Sequence, residues 1–456
     1  MELSSEYIQS LKKIPNLDVA KLQQSFLNEA KVGVRFNSKK ITEDINLESA
    51  QNFLKSFEID GKLSQVKWCK NGFCFDGKER LGKILPHEMG AYYLQEPSAM
   101  APVNFLDIKT DDVVLDLCAS PGGKSTQIAE KLKDGFLVAN EIVQQRAKVL
   151  AENVARLGLD NVVITNHSPI ELEDRFANFF DKILVDAPCS GEGMFRKNNN
   201  AIFEWSQASV NACAVRQKEI VKSAYKMLKS GGTMVYSTCT FSLQENEEVI
   251  KFLLDTFDDL EVLPVDHSKY GFCKGIDIDG TKRLCGTARL YPYLICGEGH
   301  FFAVLHKKGN LAKSITKQCK KLQANRNVVN TFLNFQKKYI KKQFENFVSI
   351  GDFLYANCPL DIDRLKVVSP GLLLGEAKKG VFLPSWHLAH NLDQNDFVNV
   401  QEISKQDAIS YLQGNEINSQ QNGWILLTFH NLPLCFGKGV LGKVKNHYPK
   451  TLRKKL

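Results

Sequence analysis

The feature that most constrains the fold is a glycine-rich turn between an apolar segment and an amphipathic helix. The segment Val113–Leu117 is followed by the letters CASPGGKST (118–126), after which Ile128, Ala129 and Leu132 recur at helical spacing. A strand, a tight glycine turn and a helix form the first crossing of a doubly wound α/β domain, in which ligands bind at the carboxyl ends of the strands. The sequence therefore predicts that this turn binds a ligand.

The end of the turn, GKST, resembles the phosphate-binding loop of nucleotide triphosphatases, but the resemblance fails on spacing. That loop requires a second glycine five positions before Gly123, and the residue there is Cys118. Seventeen residues after Lys124, behind the apolar run Phe136–Ala139, stands Glu141. An acidic residue at this place suits the two hydroxyls of a ribose. We therefore expect an adenosine-type cofactor and not a triphosphate.

Strands and helices alternate between residues 90 and 306 at the spacing of βαβ units. The predicted strands of this region are Val113–Leu117, Phe136–Ala139, Val162–Thr165, Lys182–Val185, Thr233–Ser237 and Phe301–Leu305. A small α+β module of ferredoxin-like or RNA-recognition-like type precedes it, with an opening helix and predicted elements at Val32–Phe36, 47–57, Gln65–Cys69 and Gly72–Phe75. Short strands follow it, at Val367–Leu374, Gly380–Leu383 and Trp424–Phe429.

The basic residues form two blocks of one sign. Residues 307–342 contain eleven Lys and Arg and residues 438–456 contain seven, with no Asp or Glu in either block. One such block is most simply a solvated helix face, but two favour a polyanionic partner, so we expect a nucleic acid. Phe332, Phe335 and Tyr339 in the first block could stack on bases, but we interpret them as the apolar side of an amphipathic helix.

The chain shows no apolar run of membrane-spanning length and no signal-peptide core at its start, so we expect a cytoplasmic protein without membrane contact. Its twelve cysteines form no C-x-x-C pair and no zinc-like group. We interpret most of them as buried small hydrophobes and expect no bound metal. A monomer is the default expectation.

Two cysteines stand just past the carboxyl ends of predicted parallel strands. Cys189 lies in the letters DAPCSGEG (186–193) and Cys239 in YSTCT (236–240). Both therefore fall on the edge of the sheet that carries the glycine-rich turn. Ser242 and Glu245 form a capping-box pattern for the next helix, whose positive terminus would lower the pKa of the Cys239 thiol. Taken alone, each cysteine would be interpreted as a structural residue. Two cysteines at the ends of strands on the same edge indicate a chemical role.

Together these motifs resemble the RNA 5-methylcytosine methyltransferases of the Nol/Nop/Sun family. The resemblance is carried by LDLCASPGGK, DAPCSGEG and YSTCT, and by the flanking YYLQEPSAM (92–100) and CGEGHFFAVLHKK (296–308). It covers residues 30–308, and the ending PLCFGKGVLGKVKNHYPKTLR (433–453) resembles the PUA-like RNA-binding module of the RsmF branch. The resemblance implies a Rossmann-like class I methyltransferase core with a small N-terminal module and a β-rich C-terminal module.

The chain is accordingly divided into four parts. They are an N-terminal α+β RNA-recognition module (1–88), a methyltransferase domain (89–308), a basic helical connector (309–350) and a PUA-like RNA-binding domain (351–456).

The resemblance also implies roles for individual residues. Cys239 is the nucleophile that adds to carbon 6 of cytosine, and Cys189 assists the release step. Asp186 contacts the base edge near N3, or the cofactor, and Glu141 the ribose hydroxyls. The residues implied to hold S-adenosylmethionine are Cys118, Ala119, Ser120, Pro121, Gly122, Gly123, Lys124, Glu141, Asn166 and Asp186.

One position departs from the family pattern. Asn166 stands where the family has an Asp that recognises adenine, and its amide can accept from the adenine amino group and donate to a ring nitrogen. We interpret the adjacent His167 as a surface-loop residue. Glu192 and Arg196 either reach RNA phosphate or order their loop. Two further residues, Gln95 and Ser98, are candidates for the lining of the cleft.

The expected function is methylation of cytosine carbon 5 in ribosomal RNA, specifically 16S RNA of the small subunit, with S-adenosylmethionine as methyl donor. The expected partner is ribosomal RNA or the small ribosomal subunit. Two alternatives stay open: a transfer-RNA cytosine-5 methyltransferase, and a non-catalytic RNA-binding assembly factor on the same fold. Retention of both Cys189 and Cys239 favours an enzyme. A DNA cytosine methyltransferase also uses a Pro-Cys nucleophile, but the Thr-Cys motif and the basic C-terminal part favour RNA.

Overall fold

The structure, a computed structural model, describes residues 3–41, 45–197, 199–311 and 324–453. Within these residues the strands form four sheets, of which the largest has ten strands. None of the helices in the described ranges is both long enough and apolar enough to cross a bilayer.

The N-terminal part is a four-stranded antiparallel sheet preceded by two helices. Its elements are α1 (Ser5–Lys12), α2 (Val19–Ser25), β1 (Val32–Phe36), α3 (Leu47–Ser56), β2 (Lys62–Gln65), β3 (Gly72–Asp76), α4 (Leu85–Glu88) and β4 (Tyr92–Leu94). The strand order β2-β3-β1-β4 is that of a ferredoxin-like sheet. Because β4 pairs with β1, the sheet extends beyond the boundary predicted at residue 88.

One predicted strand of this part is wrong. The segment Gln65–Cys69 is mostly a turn, and the strand lies earlier, at Lys62–Gln65. The backbone closes on itself here, because Cys69 N donates to Val66 O at 3.0 Å and Gly72 N donates to Cys69 O at 3.1 Å. The two opening helices pack against the following domain and not on this sheet. Tyr7 and Leu11 of α1 lie in one apolar cluster with Phe195 and Phe241.

The central domain is a doubly wound α/β sheet. Its elements are α5 (Ala101–Asn104), β5 (Val113–Asp116), α6 (Gly123–Ala129), β6 (Phe136–Asn140), α7 (Gln144–Arg156), β7 (Val162–Thr165), α8 (Pro169–Phe176), β8 (Phe180–Asp186), α9 (Asn199–Glu204), α10 (Gln207–Met227), β9 (Leu228–Thr238), α11 (Glu247–Thr256), β10 (Leu260–Leu263), α12 (His267–Tyr270), β11 (Cys273–Lys274), β12 (Ala288–Leu290) and β13 (His300–Lys307).

The predicted Rossmann-like core is confirmed by the order of its strands, which is β13-β9-β8-β5-β6-β7 through the centre of the sheet. The strands β7, β6, β5, β8 and β9 are parallel, and β13 returns antiparallel to β9. Apolar residues of α6 and α7 cover one face, and those of α8, α10 and α11 cover the other. Both faces of the strands are therefore buried, which explains their continuous apolar runs.

The C-terminal part contains two further sheets. Its elements are α13 (Arg326–Tyr339), β14 (Val348–Ile350), β15 (Phe353–Ala356), β16 (Val367–Ser369), β17 (Leu372–Lys378), β18 (Val381–Pro384), α14 (Trp386–Asn391), β19 (Val400–Glu402), α15 (Lys405–Leu412), β20 (Ile417–Asn418), β21 (Gly423–Phe429), β22 (Leu432–Val440) and β23 (Lys443–Asn446). The sheets are β14-β15-β17-β18 and β19-β21-β22-β23-β20.

The basic region predicted as a connector is in part a core helix. Phe332, Phe335 and Tyr339 of α13 are buried among apolar residues of the C-terminal sheets, which agrees with their interpretation as the apolar side of a helix. Residues 312–323 of that region lie outside the described residues. The boundary predicted at 350 falls between β14 and β15, which pair as a hairpin, so α13 and β14 belong with the unit that follows.

The single strand predicted at Val367–Leu374 is wrong, because two strands in different sheets occupy this segment. β16 pairs with β7 and extends the central sheet, whereas β17 pairs within the C-terminal sheet. Pro370 lacks a backbone N–H, and Gly371 has a φ of +148°. The extended strand is therefore interrupted at these two residues. The C-terminal part therefore contributes an edge strand to the central domain.

The cysteines are less buried than expected. Among the described residues, Cys74 of β3 and Cys296 form a disulfide, three other cysteines are buried, and six are only half-buried. Cys319 lies outside the described residues. The half-buried ones include Cys118, Cys189 and Cys239, which stand at the carboxyl edge of the central sheet.

Candidate active site

Three loops meet at the carboxyl edge of the central sheet. β8 is parallel to both β5 and β9, with Asp116 level with Leu184 and Asp186 level with Ser237. The loops that follow β5, β8 and β9 are therefore neighbours, and they carry the three predicted motifs. The three loops meet at this edge because the carboxyl ends of parallel strands lie side by side.

The two predicted thiols are in contact. The Sγ atoms of Cys189 and Cys239 are 3.3 Å apart, and the loops that carry them are joined where Gly193 N donates to Cys239 O at 2.8 Å. The hydrogen bond with Cys239, together with burial, raises the pKa of the Cys189 thiol well above its usual value. Cys189 therefore keeps its proton at neutral pH while the two sulfurs face each other.

Glu245 holds the Cys189 loop in place. Its buried carboxylate accepts from Ser190 N at 2.9 Å, from Ser190 Oγ at 2.5 Å and from Gln217 Nε2 at 3.0 Å. The capping box predicted from Ser242 and Glu245 is therefore incomplete. Ser242 Oγ accepts from Glu245 N at 3.3 Å, but the carboxylate turns to the other loop and α11 begins only at Glu247.

Glu192 and Arg196 order this loop through protein contacts. Glu192 is buried and accepts from Trp205 Nε1 at 2.8 Å and from Phe241 N at 3.0 Å, and burial raises its pKa to about 7. Arg196 forms an ion pair with Glu298, with Nη2 and Oε1 3.0 Å apart, and donates to the carbonyl of Ser25. Of the two interpretations of these residues, the contacts favour loop ordering over contact with RNA phosphate.

Lys124 and Asp186 form an ion pair at the same edge. Lys124 Nζ lies 2.7 Å from Asp186 Oδ2, and Ser237 Oγ donates to Asp186 Oδ1 at 2.7 Å. Burial raises the pKa of Asp186, but the charge and hydrogen bond of Lys124 outweigh it, so the pKa lies below its ordinary value. Asp186 is therefore an ionised acceptor, and Lys124 is its partner cation.

The glycine-rich turn is fixed by its neighbours on β6 and α7. Ala119 N donates to Asn140 O at 2.9 Å, and Ser120 exchanges hydrogen bonds with Arg146, both at 2.9 Å. Gly122, with a φ of +109°, caps α6, and a Cβ built there would lie 2.9 Å from Leu150 Cδ1. A side chain at this position would therefore be both strained and crowded, which accounts for the glycine.

The turn also contains Cys118 and Pro121. Burial and the neighbouring carboxylates raise the pKa of the Cys118 thiol, so it is protonated at neutral pH. The peptide bond from Ser120 to Pro121 is cis, and the Pro121 carbonyl accepts from Asn153 Nδ2 at 2.9 Å. The backbone of Gly123 begins α6 beside Tyr93, whose ring lies 3.3 Å from a Cβ built at Gly123.

Glu141 and Asn166 lie together at the end of β6 and β7. Glu141 is buried and its Oε1 accepts from Val143 N at 2.9 Å. Asn166 Nδ2 donates to the carbonyl oxygens of Glu141 at 2.7 Å and Ile142 at 2.9 Å. The Asn166 amide was expected both to accept a hydrogen bond from adenine and to donate one to it. The donor role is wrong, because Nδ2 already donates to these two backbone carbonyls.

His167 differs from its expected place, whereas Gln95 lies beside the glycine-rich turn, with its Cδ 3.5 Å from a Cβ built at Gly123. His167 is buried and its Nε2 accepts from Lys366 N at 2.8 Å, because β16 covers it, so its interpretation as a surface-loop residue is wrong. Gln95 Oε1 accepts from Arg35 Nε at 2.8 Å, and Ser98 Oγ donates to Glu96. The Gln95 side chain thus contacts β1 of the N-terminal sheet, and the Ser98 side chain contacts its own loop.

Sequence reasoning missed several buried polar residues at this edge. Asp116 accepts from Ser125 Oγ at 2.6 Å, and burial raises its pKa to about 7. Ser237 orients Asp186, and His300 begins β13 beside them. The signal for Asp116 was its position at the end of a predicted strand, whereas the place of His300 depends on an antiparallel register that local patterns do not specify.

Comparisons with known families cover most of the chain. The profile described as 16S rRNA methyltransferase RsmB/F matches residues 103–306, and that of the N-terminal domain of 16S rRNA methyltransferase RsmF matches residues 3–97. The RsmF first C-terminal domain matches residues 334–392, and the RsmF PUA domain matches residues 398–454. The predicted family resemblance is thereby confirmed.

Whole-chain relatives and solved structures agree with these matches. The chain is 32% identical over 439 residues to the ribosomal RNA small subunit methyltransferase F of Vibrio parahaemolyticus, covering 89% of each chain. It is 31% identical over 414 residues to the protein of that name from Escherichia coli O157:H7, covering 86% of this chain and 85% of the relative.

A methyltransferase homologue from Pyrococcus horikoshii superimposes with a TM-score of 0.56 at 26% identity, over 67% of this chain and 100% of the other. The NSun6 structure from P. horikoshii with SFG superimposes with a TM-score of 0.57 at 22% identity, over 67% of this chain and 99% of the other, and shows the shared fold.

Proposed function

This chain belongs to the small-subunit ribosomal RNA methyltransferase F family, and from that premise we propose that it methylates carbon 5 of a cytosine in small-subunit RNA. The reaction would proceed through a covalent adduct between Cys239 and carbon 6 of the base. The observation that carries the proposal is the contact between two thiols, 3.3 Å apart, beside an ionised carboxylate at the ligand edge of the sheet. A binding module has no chemical use for that pair.

Cytosine needs activation before its carbon 5 can accept a methyl group. The thiolate of Cys239 adds to carbon 6, the S–C6 bond forms, and the π electrons of the C5–C6 bond become available at carbon 5. S-adenosylmethionine supplies the methyl group to that carbon as an electrophilic sulfonium substituent. The target base must leave its helix or lie in an open loop, because carbon 6 is otherwise out of reach of a thiolate.

Cys189 is suited to the release step. Its pKa is raised chiefly by the hydrogen bond with Cys239, and that contribution ends once the Cys239 sulfur is a neutral thioether. Cys189 then gives its proton to solvent more readily than in the free enzyme, and the resulting thiolate takes the proton from carbon 5. The electron pair of that C–H bond restores the C5–C6 double bond, and the S–C6 bond breaks to return the Cys239 thiolate. Cys189 ends as a thiol, as it began.

Asp186 and Lys124 would hold the polar edge of the base. An ionised carboxylate accepts a hydrogen bond from the 4-amino group of cytosine and repels the 4-oxygen of uracil, which gives a basis for base choice. Lys124, 2.7 Å from that carboxylate, is a cation beside the charge that develops at N3 as the thiolate adds. The pair therefore supports both recognition and activation.

The residues at the ends of β5, β6 and β7 fit an adenosine-type methyl donor. The buried Glu141 carboxylate suits the ribose hydroxyls, and Asn166 keeps its amide oxygen to accept from the adenine amino group. The turn from Cys118 to Lys124 would face the methionine part with its backbone. Because Gly122 has no side chain, the backbone of this turn is open to close approach.

The test measures methyl transfer from labelled S-adenosylmethionine to total RNA and to small subunits from cells that lack this protein. The intact enzyme is compared with Cys239→Ala, Cys189→Ala and a control, Cys285→Ala, whose half-buried cysteine stands between β11 and β12 and not in the three loops. We expect 5-methylcytosine in small-subunit RNA with the intact enzyme and the control. Cys239→Ala should abolish the label, and Cys189→Ala should accumulate a protein–RNA adduct that survives a denaturing gel.

Other outcomes would redirect the proposal. Label that survives Cys239→Ala would move the nucleophile to Cys189. Label confined to transfer RNA would favour the transfer-RNA alternative. An intact enzyme that binds the cofactor but labels neither free RNA nor subunits would contradict the proposal and favour an assembly factor.

A further inference from the structure

A buried histidine at the active edge has no part in the chemistry described so far. His300 is the first residue of β13, is 3% exposed, and its Nε2 has no hydrogen-bond partner among the described residues. Burying an unpaired polar nitrogen destabilises a fold, so such a group calls for an explanation, and at a ligand-binding edge a contact with the ligand is one. Its position decides which ligand that is.

The register of the sheet places His300 at the carboxyl end of β9, which Cys239 follows directly. β13 runs antiparallel to β9, with Phe302 opposite Ser237 and Phe301 opposite Thr238. The next pair along would join His300 with Cys239. Side chains alternate along a strand, so His300 shares the face of Phe302, which is also the face of Ser237 and its partner Asp186.

The charges around His300 agree with this position. Burial and the nearby Lys124 cation lower the pKa of His300 to about 3, against the opposing effect of Asp186. The imidazole is therefore neutral at physiological pH and has one N–H donor and one bare acceptor nitrogen. It stands within electrostatic reach of the same ion pair that would hold the base.

We propose that His300 is a positioning residue for the target nucleotide and hydrogen-bonds the N3/O2 edge of the flipped cytosine. The inference rests on the proposed function. Asp186 would take the 4-amino end of the base and Cys239 would attack carbon 6, so His300 would restrain the rest of the polar edge. A donor there also faces atoms on which negative charge develops as the thiolate adds.

The test compares His300→Leu and His300→Gln with the intact enzyme. His306→Leu is the matched control, because His306 lies on the same strand and face, about 20 Å away at the strand rise of ~3.3 Å per residue. Three quantities are measured: kcat and KM on RNA, the Kd of sinefungin as a cofactor analogue, and the thermal unfolding temperature.

We expect His300→Leu to lower kcat/KM on RNA about tenfold or more, the loss of one hydrogen bond in the transition state. Sinefungin should bind within about twofold of the intact enzyme, and the unfolding temperature should stay level or rise, since an unpaired polar group is removed. His300→Gln, which keeps an N–H donor, should recover part of the activity, and His306→Leu should retain all of it.

Three results would overturn the inference. Sinefungin binding that weakens as much as kcat/KM would assign His300 to the cofactor. A lower unfolding temperature with unchanged activity per folded molecule would assign it to packing. Unchanged kcat/KM in His300→Leu would leave it no role in the reaction. If the intact enzyme itself forms no 5-methylcytosine, the proposed function fails instead, and that measurement is made first.

Discussion

Replacing Lys124 by methionine tests whether the ion pair with Asp186 is a buried charge pair or a loose surface contact. The Lys124 and Asp186 side chains are 10% and 33% exposed, and their N and O atoms are 2.7 Å apart. Methionine keeps the length of the lysine side chain but removes the cation. Asp186 then keeps only the hydrogen bond from Ser237, and a partly buried carboxylate is left without a counter-charge.

The expected loss follows from that geometry. Breaking a fully buried pair by removing one partner costs about 3–5 kcal/mol, and the remaining exposure of Asp186 reduces this to about 2–3 kcal/mol. For a domain of this size, 1 kcal/mol corresponds to about 2–4 °C, so Lys124→Met should unfold about 4–12 °C below the intact protein at pH 7.5. The double variant Lys124→Met/Asp186→Asn should recover much of that loss, because no buried charge remains.

The pH dependence has a definite sign. In the intact protein the pKa of Asp186 is lowered, so its contribution is present above the ordinary carboxyl pKa and is lost as pH falls through the lowered one. In Lys124→Met the contribution of the cation is lost and burial outweighs the hydrogen bond from Ser237, so the pKa rises and the penalty grows as pH rises above the ordinary value of about 4. The difference between the two proteins should therefore shrink as pH falls from 7.5 toward 4.

Differential scanning calorimetry measures these shifts, and Lys405→Met is the matched control. Lys405 lies the same 2.7 Å from Glu58, but the two side chains are 57% and 78% exposed, so solvent screens the pair and no measurable change is expected. The reasoning is refuted if Lys124→Met unfolds within about 1 °C of the intact protein at pH 7.5, or if the double variant is no more stable than the single one.

Four further outcomes are expected. Because the pKa of Asp116 is raised, its ionisation destabilises the fold, and the unfolding temperature of the intact protein should fall as pH rises from about 4 toward 7. Asp116→Asn should show a smaller fall, and equal pH profiles would contradict this. Glu141→Ala should weaken sinefungin binding about tenfold or more by calorimetry with RNA affinity unchanged, as for a lost charged hydrogen bond; parallel losses would argue against a ribose contact. Phe335→Ala should cost about 3–5 kcal/mol in denaturant unfolding while exposed Leu333→Ala on the same helix costs little, and equal effects would remove α13 from the core. Iodoacetamide at pH 7.5 should modify Cys189 slowly by peptide mass spectrometry, because its pKa is raised, and rapid modification would contradict a protonated thiol.

Local sequence patterns predicted the centre of the molecule well. The strands β5 to β9 could be predicted because both of their faces are buried. Such strands appear in the sequence as continuous apolar runs between turn residues. The three motif loops could be assigned to one edge because parallel strands end side by side. Cys189, Cys239 and Asp186 meet in the structure for that reason, and no register had to be known beforehand.

Other features depended on contacts between distant segments. Gln65–Cys69 has the composition of a strand but folds as a turn, and β16 leaves its own unit to pair with β7. His167 is buried only because β16 covers it. Periodicity over ten residues carries no information on which remote strand supplies a partner.

The sequence by itself determined the fold class, the ligand edge and the residue types that meet there, because periodicity and strand ends are local properties. Tertiary structure alone decided what each of those residues touches. Glu245 reaches Ser190 instead of capping its own helix, and His300 stands one residue beyond the antiparallel pair of Phe301 and Thr238. Such contacts are set by packing and register between segments far apart in the chain. Whether a buried polar atom stabilises or destabilises the fold depends on the partner that folding brings to it.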